Sequence, residues 1–342
     1  MASPTTAPGI RLGWIGLGSM GNAMAKNIHR HLVAQGLPPL RFFNRTASKG
    51  DALEALGGTR CASVAAVAAD SDVIFISASD DEAVQSIIEQ IIDSGPGDIA
   101  GKTVVDTTTV HPDTTKAATA RLRRAGADFA AAPVFGATPV AEAGRLLVAF
   151  AGAAAAFERV APFLEGVVAR EVLRVGEAPE QAMLLKTTGN FLMAGLMELI
   201  AEAHVFAEKT GLPAAAVEAL LERNFGAVAH SDSVRMSGVY LPGRGQAPWS
   251  GLDLALKDVG HGVALGRRAG APLPAAELAL GHLRRAKAWA EEEVEGKRDG
   301  GNGGSGSAAA PRALDSSSLY GVVRQDAGLD FRTEFVKRRD AE

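Results

Sequence analysis

The 342-residue sequence has a single cysteine, Cys61, so it can form no intrachain disulfide, which fits a reducing compartment. Its longest apolar run, residues 146–157, is too short to span a bilayer and contains Gly152. No basic segment followed by an apolar stretch opens the chain, so we expect no secretory signal and a cytoplasmic location. The net charge of −4 gives no electrostatic reason to bind nucleic acid or an anionic membrane, and we expect neither partner.

Proline is absent from residues 181–209, which consist mostly of good helix formers, and this predicts one long helix. Apolar residues occur on nearly every face of that helix, so we expect it to be buried. Lys186 and Asn190 are four residues apart and therefore point the same way. Two interpretations stay open: a lysine that reaches solvent beside a polar cap, or a proton-handling lysine with an amide that orients a substrate.

Three glycines form one motif near the start of the chain, Gly16-Leu17-Gly18-Ser19-Met20-Gly21. It follows a short apolar strand at residues 11–15 and opens a helical pattern at Asn22. In that context the glycines permit a tight turn and let the backbone approach a pyrophosphate, while the helix N-terminus supplies amide donors. The motif predicts that these six residues bind a dinucleotide cofactor.

An acidic residue is missing from the end of the second predicted strand, residues 40–44, where NAD-binding domains usually have one for the ribose hydroxyls. The chain has Asn44, Arg45 and Thr46 there, with Lys49 nearby. Cations and hydroxyls suit a 2′-phosphate, so the sequence favours NADP over NAD, with these four residues as contacts. The alternative is a solvated basic turn.

Further strands are predicted at residues 73–77, 103–106, 128–132, 146–151 and 171–175. Because they alternate with helices, we expect an α/β fold with a doubly wound parallel sheet, whose ligands bind at the carboxyl ends of the strands. Thr107–Thr109 and the Val134–Ala137 loop lie at two such ends. The threonines are equally well explained by β propensity and capping.

Everything after residue 179 is predicted to be helical, with segments at about 214–224, 252–269, 273–295 and 316–326. This gives a nucleotide-binding domain at residues 10–178 and an all-helical domain at 179–342, with the long helix at about 180–210 between them. The low-complexity residues 296–311 are expected to form a disordered loop. We interpret Lys337–Arg339 as a solvated tail. For Lys257-Asp258, the alternative to a role in the site is a surface pair, because adjacent helical residues do not face each other.

Four motifs in this order resemble the β-hydroxyacid dehydrogenase family, relatives of 3-hydroxyisobutyrate and 6-phosphogluconate dehydrogenases. The resemblance covers about residues 10–295 and 314–329, and its motifs are IGLGSMG at 15–21, DTTTVHP at 106–112 against the family's D-x-S-T-x-x-P, APVFGA at 132–137 followed by Gly144, and Lys186 with Asn190 and the later Lys257-Asp258. It implies a Rossmann domain joined by a long helix to an all-helical domain, usually in a homodimer.

The resemblance also implies roles for individual residues. Lys186 would be the catalytic acid/base, which takes the hydroxyl proton as hydride leaves a small-molecule substrate and returns it in reduction. Asn190 would hydrogen-bond the substrate, Lys257 would approach the cofactor, and Ala78 would lie where the loop passes the nicotinamide. The full set implied for the substrate is Thr108, Phe135, Gly136, Ala137, Asn190 and Asp258, and Thr109 joins Ala78 and Lys257 on the cofactor.

The chain departs from the family's pattern at three motifs. Acid-binding members have P-V-S-G-G, whose serine and glycines bind the substrate carboxylate, and here Phe135 and Ala137 replace the serine and the second glycine. Gly189 replaces one asparagine of K-x-x-N-N, and Pro179 stands where glycine is common. We expect an NADP-dependent oxidoreductase for a carbonyl/alcohol pair, with a β-hydroxy acid or small semialdehyde as substrate. The alternatives are an imine reductase, a class that usually lacks the lysine, and a non-catalytic cofactor-binding protein.

Overall fold

The computed structural model describes residues 9–94, 99–243, 245–299 and 312–342. The chain divides into two compact units, Met1–Thr187 and Thr188–Glu342, and the boundary falls within one long helix, Glu180–Thr210. Residues 296–299 of the expected disordered loop were predicted wrongly, because a helix continues through Asp299. The rest of that loop, residues 300–311, lies outside the described residues.

The first unit is built on a nine-stranded sheet. Its strands are β1 Leu12–Ile15, β2 Arg41–Phe43, β3 Thr59–Arg60, β4 Val73–Ile76, β5 Thr103–Asp106, β6 Asp128–Ala131, β7 Val134–Phe135, β8 Leu146–Ala151 and β9 Ala169–Gly176. Strands β3-β2-β1-β4-β5-β6 run parallel in that spatial order, whereas β8 is antiparallel to β6 and β7 and parallel to β9. The predicted α/β class, with a mainly parallel doubly wound sheet, is confirmed.

Alternate residues of each central strand enter different hydrophobic layers, because successive side chains of a strand point to opposite faces. In β4, Val73 and Phe75 pack with Trp14 and Phe42 on one face. Ile74 and Ile76 pack on the other face, against the side chains of different helices. Both faces of the sheet are therefore buried, which explains why these strands are nearly continuous apolar runs.

Seven helices lie wholly within the described part of the first unit, and four of them begin with a capping side chain or a proline in the first turn. They are α1 Ser19–Ala34, α2 Asp51–Ala55, α3 Val64–Ala69, α4 Asp81–Ile92, α5 Pro112–Arg124, α6 Thr138–Glu142 and α7 Ala154–Val160. The Ser63 hydroxyl accepts a hydrogen bond from the amide of Ala66 at 3.1 Å at the start of α3, and the Asp80 carboxylate accepts one from Ala83 at 2.8 Å at the start of α4. Pro112 occupies the first turn of α5, where no amide donor is needed.

The order of the parallel strands reverses at β1, which lies between β2 and β4. In open α/β sheets, ligands bind outside the carboxyl ends of the strands at such a reversal. The glycine motif follows β1 directly, and Ala78 follows β4. The topology thus brings these two predicted cofactor loops to the same edge of the sheet.

The second unit is helical. Its elements are the second part of α8 Glu180–Thr210, then α9 Ala214–Leu220, α10 Gly226–Val234, α11 Leu252–Arg268, α12 Pro274–Asp299, α13 Leu319–Asp326 and α14 Glu334–Ala341, with π-helical turns at Leu221–Phe225 and Arg235–Val239. Aromatic rings fill its core: Trp289 stacks on Phe331 with centroids 3.7 Å apart, and Tyr240 meets Tyr320 edge to face at 5.2 Å. The Tyr240 hydroxyl also bonds the carbonyl of Phe331 at 3.0 Å.

The C-terminal basic residues are not a solvated tail, and that prediction was wrong. They lie in α14, which buries Val336 against the core of the second unit. The guanidinium of Arg339 donates to the carbonyls of Leu241 at 2.7 Å and Gly238 at 3.2 Å. A helix of eight residues with one buried apolar side chain has too weak a hydrophobic pattern to be recognised from the sequence.

One helix in the described part of the chain, α8, is long and apolar enough to cross a membrane by length and composition. Core helices of soluble proteins pass the same criterion. In the second unit, Ile200, Ala201 and Val205 of α8 are buried in the hydrophobic core. Polar side chains such as Lys186 and Glu198 also interrupt it, so we describe α8 as a core helix.

Candidate active site and cofactor-binding loop

The loop between β1 and α1 has room for a side chain at only one of the three motif glycines. Gly16 has φ +98°, and a Cβ there would lie 2.1 Å from the carbonyl oxygen of Ser77. A Cβ at Gly21 would lie 2.4 Å from the Gly16 carbonyl oxygen. At Gly18, by contrast, no described atom lies within 4 Å of the Cβ position. Gly16 and Gly21 therefore hold the turn against β4 and α1, whereas Gly18 leaves open backbone that a ligand can approach.

Helix α1 begins at this open glycine, and no side chain among the described residues caps it. Amides of its first turn therefore remain available as donors at the positive end of the helix dipole. Thr138 contacts the same turn, since its hydroxyl lies 3.9 Å from the sulfur of Met20. An uncapped helix N-terminus beside exposed glycine backbone suits the pyrophosphate of a dinucleotide.

Asn44 at the end of β2 ties the glycine loop to the next turn. Its Oδ1 accepts a hydrogen bond from the amide of Leu17 at 2.7 Å, and its Nδ2 donates to the carbonyl of Thr46 at 2.7 Å. Both ends of the amide are thus engaged with protein backbone. Asn44, predicted as a cofactor contact, lies in the predicted place and acts on the shape of the loop.

Arg45, Thr46 and Lys49 are exposed beside that turn. The side chain of Arg45 forms no ion pair with any residue that the structure describes. The two carboxylates that follow, Asp51 and Glu54, are each 2.8 Å from the guanidinium of Arg60. Because Arg60 already pairs with these two acids, the positive charges of Arg45 and Lys49 stay available for the predicted contact with a 2′-phosphate.

Threonine hydroxyls link the loops that follow β4 and β5. Thr108 Oγ1 accepts a hydrogen bond from the amide of Ala78 at 2.9 Å, and Thr107 Oγ1 donates to the carbonyl of Ile76 at 2.7 Å. Both threonines are buried, whereas Thr109 is half-buried. Thr108 therefore shapes the loop that carries Ala78.

The first unit brings together two of the residues predicted to contact substrate. The Nζ of Lys186 lies 4.6 Å from the centroid of the Phe135 ring, a cation–π contact. The sequence predicted a loop at Phe135, and that prediction was wrong. The residue lies in β7, where it pairs with Leu147 of β8. Gly136 follows with φ +132°, and a Cβ there would lie 2.8 Å from a methyl of Leu146, so the turn into Ala137 needs glycine.

The second unit brings together two further predicted substrate contacts, Asn190 and Asp258, with the predicted cofactor contact Lys257. Asp258 accepts a hydrogen bond from Asn190 Nδ2 at 2.8 Å on one carboxylate oxygen and from Lys257 Nζ at 2.7 Å on the other. The side chains of Lys257 and Asp258 are only 19% and 16% exposed. This contradicts the alternative of a surface pair whose members do not face each other, because both side chains are mostly buried and their charged ends are in contact. Along α8, Asn190 follows Lys186 by about one turn.

Asp81, which the sequence analysis did not single out, joins two helix starts at the carboxyl edge of the sheet. Its Oδ1 accepts hydrogen bonds from the amide of His111 at 2.8 Å and the hydroxyl of Thr114 at 2.6 Å. It thereby joins the start of α4 to the start of α5. An acid in the first turn of a helix is too common a feature to reveal such a contact.

Buried titratable groups occur in the second unit away from these residues. Burial raises the pKa of the Asp232 carboxyl to about 6, against the opposing effect of the nearby Arg235. Burial also raises the pKa of Glu198, which His282 Nδ1 contacts at 2.8 Å, and lowers that of His204. Among the described residues, no group of three or more His, Cys, Asp or Glu side chains is placed to hold a metal ion.

Comparison with known proteins gives matches along most of the chain. Residues 11–176 match the family described as the NAD binding domain of 6-phosphogluconate dehydrogenase. Residues 181–298 match the family described as NAD-binding of NADP-dependent 3-hydroxyisobutyrate dehydrogenase.

Individual proteins match over similar lengths. The chain is 32% identical to the NADH-dependent oxidoreductase ucdB of Aspergillus ustus, over 92% of this chain and 99% of that protein. It is 30% identical to the 2-(hydroxymethyl)glutarate dehydrogenase of Eubacterium barkeri, over 79% of this chain and 87% of that protein. The structure of Mycobacterium tuberculosis 3-hydroxyisobutyrate dehydrogenase with L-serine superposes with a TM-score of 0.73 at 21% identity, over 92% of this chain and 99% of that one, which shows a shared fold.

Proposed function

Because the chain belongs to the β-hydroxyacid dehydrogenase family and is an NAD(P)-dependent dehydrogenase of that type, we propose that it interconverts a carbonyl compound and its alcohol with NADP(H), using Lys186 as the general acid/base. The observation that carries the proposal is the ammonium of Lys186, held 4.6 Å from the Phe135 ring. A lysine fixed by an aromatic face, rather than dispersed in solvent, is placed to donate and accept a proton at one defined position.

In reduction, negative charge develops on the carbonyl oxygen and a proton must arrive there. The ammonium of Lys186 supplies both the field and the proton, and in oxidation the amine takes the proton back. The bound nicotinamide supplies or receives the hydride. Asn190, about one turn further along α8, holds the substrate oxygen, and Asp258 orients the Asn190 amide through the 2.8 Å hydrogen bond.

The open backbone at Gly18 and the first turn of α1 would hold the pyrophosphate of the dinucleotide. Arg45, Thr46 and Lys49 would hold the 2′-phosphate, and Lys257 would approach the cofactor. The description of the matched C-terminal family names an NADP-dependent enzyme, whereas the Aspergillus relative is named NADH-dependent. Cofactor choice therefore varies among relatives, and the cations after β2 are the local reason to assign NADP here.

The substrate class implied by the relatives' names is a hydroxy acid or semialdehyde. Lys186 favours carbonyl chemistry over imine reduction, because imine reductases usually lack this lysine. The same residue, with Asn190, favours an enzyme over a non-catalytic cofactor-binding protein. A panel of aldehydes, keto acids and cyclic imines with NADPH separates the three alternatives.

The protein acts in the cytoplasm as a homodimer. Residues 10–178 form its nucleotide-binding domain and residues 179–342 its helical domain.

The dimer is supported by three exposed apolar residues of α8, Leu192, Leu199 and Phe206, which are 61%, 64% and 65% exposed. Their seven-residue spacing places them along one face of the helix. An apolar stripe of this kind is typical of a protein–protein contact, and a second copy is the partner we assign to it.

The test of the proposal is Lys186→Ala. Turnover should fall by at least about 10²-fold, the lower end for loss of a general acid, while cofactor binding stays near normal. Lys186→Arg should not restore turnover, because guanidinium does not release a proton at neutral pH. Lys209→Ala is the matched control, since Lys209 is on the same helix and contacts the carbonyl of Ala327 at 3.2 Å. Near-full turnover in Lys186→Ala would make Lys186 structural and favour the imine-reductase or binding-protein alternative.

A further inference from the structure

The segment that begins at Phe135, the residue whose ring contacts Lys186 in the first unit, has no polar side chain in its first three residues. Phe135 presents its ring to the ammonium, and the next two residues are Gly136 and Ala137. None of the three carries a side-chain hydroxyl, amide or charge. A group attached to the carbonyl carbon that lies on the side of Phe135 therefore meets an aromatic surface.

This aromatic surface is fixed by the sheet. Phe135 pairs with Leu147, and Val134 pairs with Val148, so the ring projects from a strand rather than from a free loop. The positive φ of Gly136 and the 2.8 Å approach of its Cβ position to Leu146 hold the turn that follows. The sheet therefore fixes the backbone that carries the ring, so the aromatic side chain belongs to a defined position of the site.

An anion and an apolar group differ sharply at this surface. The face of an aromatic ring carries partial negative charge, which attracts the ammonium of Lys186 and repels a carboxylate. A carboxylate there would lose hydration without gaining a side-chain donor from residues 135–137, and it would compete for the ammonium that the carbonyl oxygen needs. An alkyl or aryl group instead buries apolar surface against the ring.

We propose that Phe135 determines specificity, and that the substrate is an aldehyde or ketone with an alkyl or aryl group, in place of a carboxylate, on the carbonyl carbon. The inference rests on the proposed function, because it takes Lys186 as the proton donor. It adds the class of substrate that reaches this lysine and the residue that selects it.

Glyoxylate and isobutyraldehyde test the inference, because the second replaces the carboxylate of the first with an isopropyl group of similar shape. With the better of NADPH and NADH, wild-type kcat/KM should be at least about tenfold higher for isobutyraldehyde, the scale on which an apolar pocket discriminates. Phe135→Ser should lower that ratio by at least tenfold, and Phe135→Leu should keep the preference for isobutyraldehyde. Succinic semialdehyde and 4-methylpentanal repeat the comparison with a longer spacer.

Phe157→Ser is the matched control. Phe157 lies in the same unit, and its ring holds the guanidinium of Arg174 at 4.5 Å by the same kind of contact, away from Lys186. It should keep the wild-type ratio. Thermal melting of each variant shows whether it is folded. The ratio of kcat/KM values in the wild-type protein tests the inference even if a variant does not fold.

The outcomes separate this inference from the proposed function. A wild-type preference for glyoxylate, or an unchanged ratio in a folded Phe135→Ser, overturns the role of Phe135 while loss of turnover in Lys186→Ala still supports the proposed function. Absence of turnover with every aldehyde, under conditions where the cofactor binds, overturns both.

Discussion

Adjacent residues after β2 should affect the choice of cofactor differently, because one is exposed and the other holds the loop by hydrogen bonds. Arg45 is exposed, and we expect it to contact the 2′-phosphate that only NADP(H) carries. A hydrogen bond to a charged group is worth about 1.5–3 kcal/mol. Arg45→Ala should therefore weaken NADPH binding by roughly 10- to 150-fold, towards the low end for so exposed a group, and leave NADH almost unchanged.

Asn44→Ala should weaken both cofactors. It removes two hydrogen bonds of 2.7 Å, one to the amide of Leu17 and one to the carbonyl of Thr46. Each of these hydrogen bonds is worth about 0.5–1.5 kcal/mol, so the loss of both costs roughly 1–3 kcal/mol. Any dinucleotide that binds must then supply this free energy to order the loop. The expected loss of affinity is about 5- to 150-fold and the same for NADPH and NADH.

Calorimetric titration of each variant with both cofactors measures the difference directly. The Arg45 effect should shrink as ionic strength rises, because screening weakens exposed charge pairs, whereas the Asn44 effect should not. Arg170→Ala, an exposed arginine on β9, is the control for loss of one positive charge. Equal losses of NADPH and NADH in Arg45→Ala would refute the phosphate assignment, and a loss confined to NADPH in Asn44→Ala would refute the loop argument.

Three further predictions test other parts of the structure. Gly16→Ala should lower the melting temperature and abolish cofactor binding, because its Cβ would lie 2.1 Å from the Ser77 carbonyl, whereas Gly18→Ala should impair only binding. Asp232→Asn should gain stability over wild type between pH 4 and pH 6, measured by urea unfolding. The folded carboxyl has its pKa raised from 3.8 to about 6, so wild type loses about 3 kcal/mol across that window and none below it; a constant difference would contradict this. Leu199→Glu should convert a dimer to monomers in light scattering, while Leu56→Glu in the first unit should not; a monomeric wild type would remove the assigned interface.

Local signals were enough to predict most of the framework. The buried parallel strands are continuous apolar runs, the glycine motif stands between a strand and a helix, and the long helix lacks proline. These features depend on residues close together in the sequence. Strand β7 was missed because two residues form it only by pairing with β8, and α10 and α14 were missed because each has few buried side chains.

Within the candidate site, the sequence indicated residue identities better than roles. Lys186 and Phe135 were both predicted to be site residues, but their contact depends on the packing of α8 against β7. The engagement of Asp258 with both Asn190 and Lys257 joins residues 68 positions apart. Such contacts are set by tertiary packing, which no local pattern encodes.

The ties between successive loops at the carboxyl edge of the sheet affect how that edge moves and how it tolerates substitution. The amides of Leu17, Ala78 and His111 each donate to a side chain about 30 residues away, on Asn44, Thr108 and Asp81 respectively. These loop amides should exchange with solvent deuterium slowly, although they lie outside the strands. A substitution at any of the three acceptors should speed exchange in a loop to which the substituted residue does not belong. Each loop at this edge is thus held by a hydrogen bond to a neighbouring loop. The rigidity of the edge therefore depends on all of these hydrogen bonds together and not on any single loop.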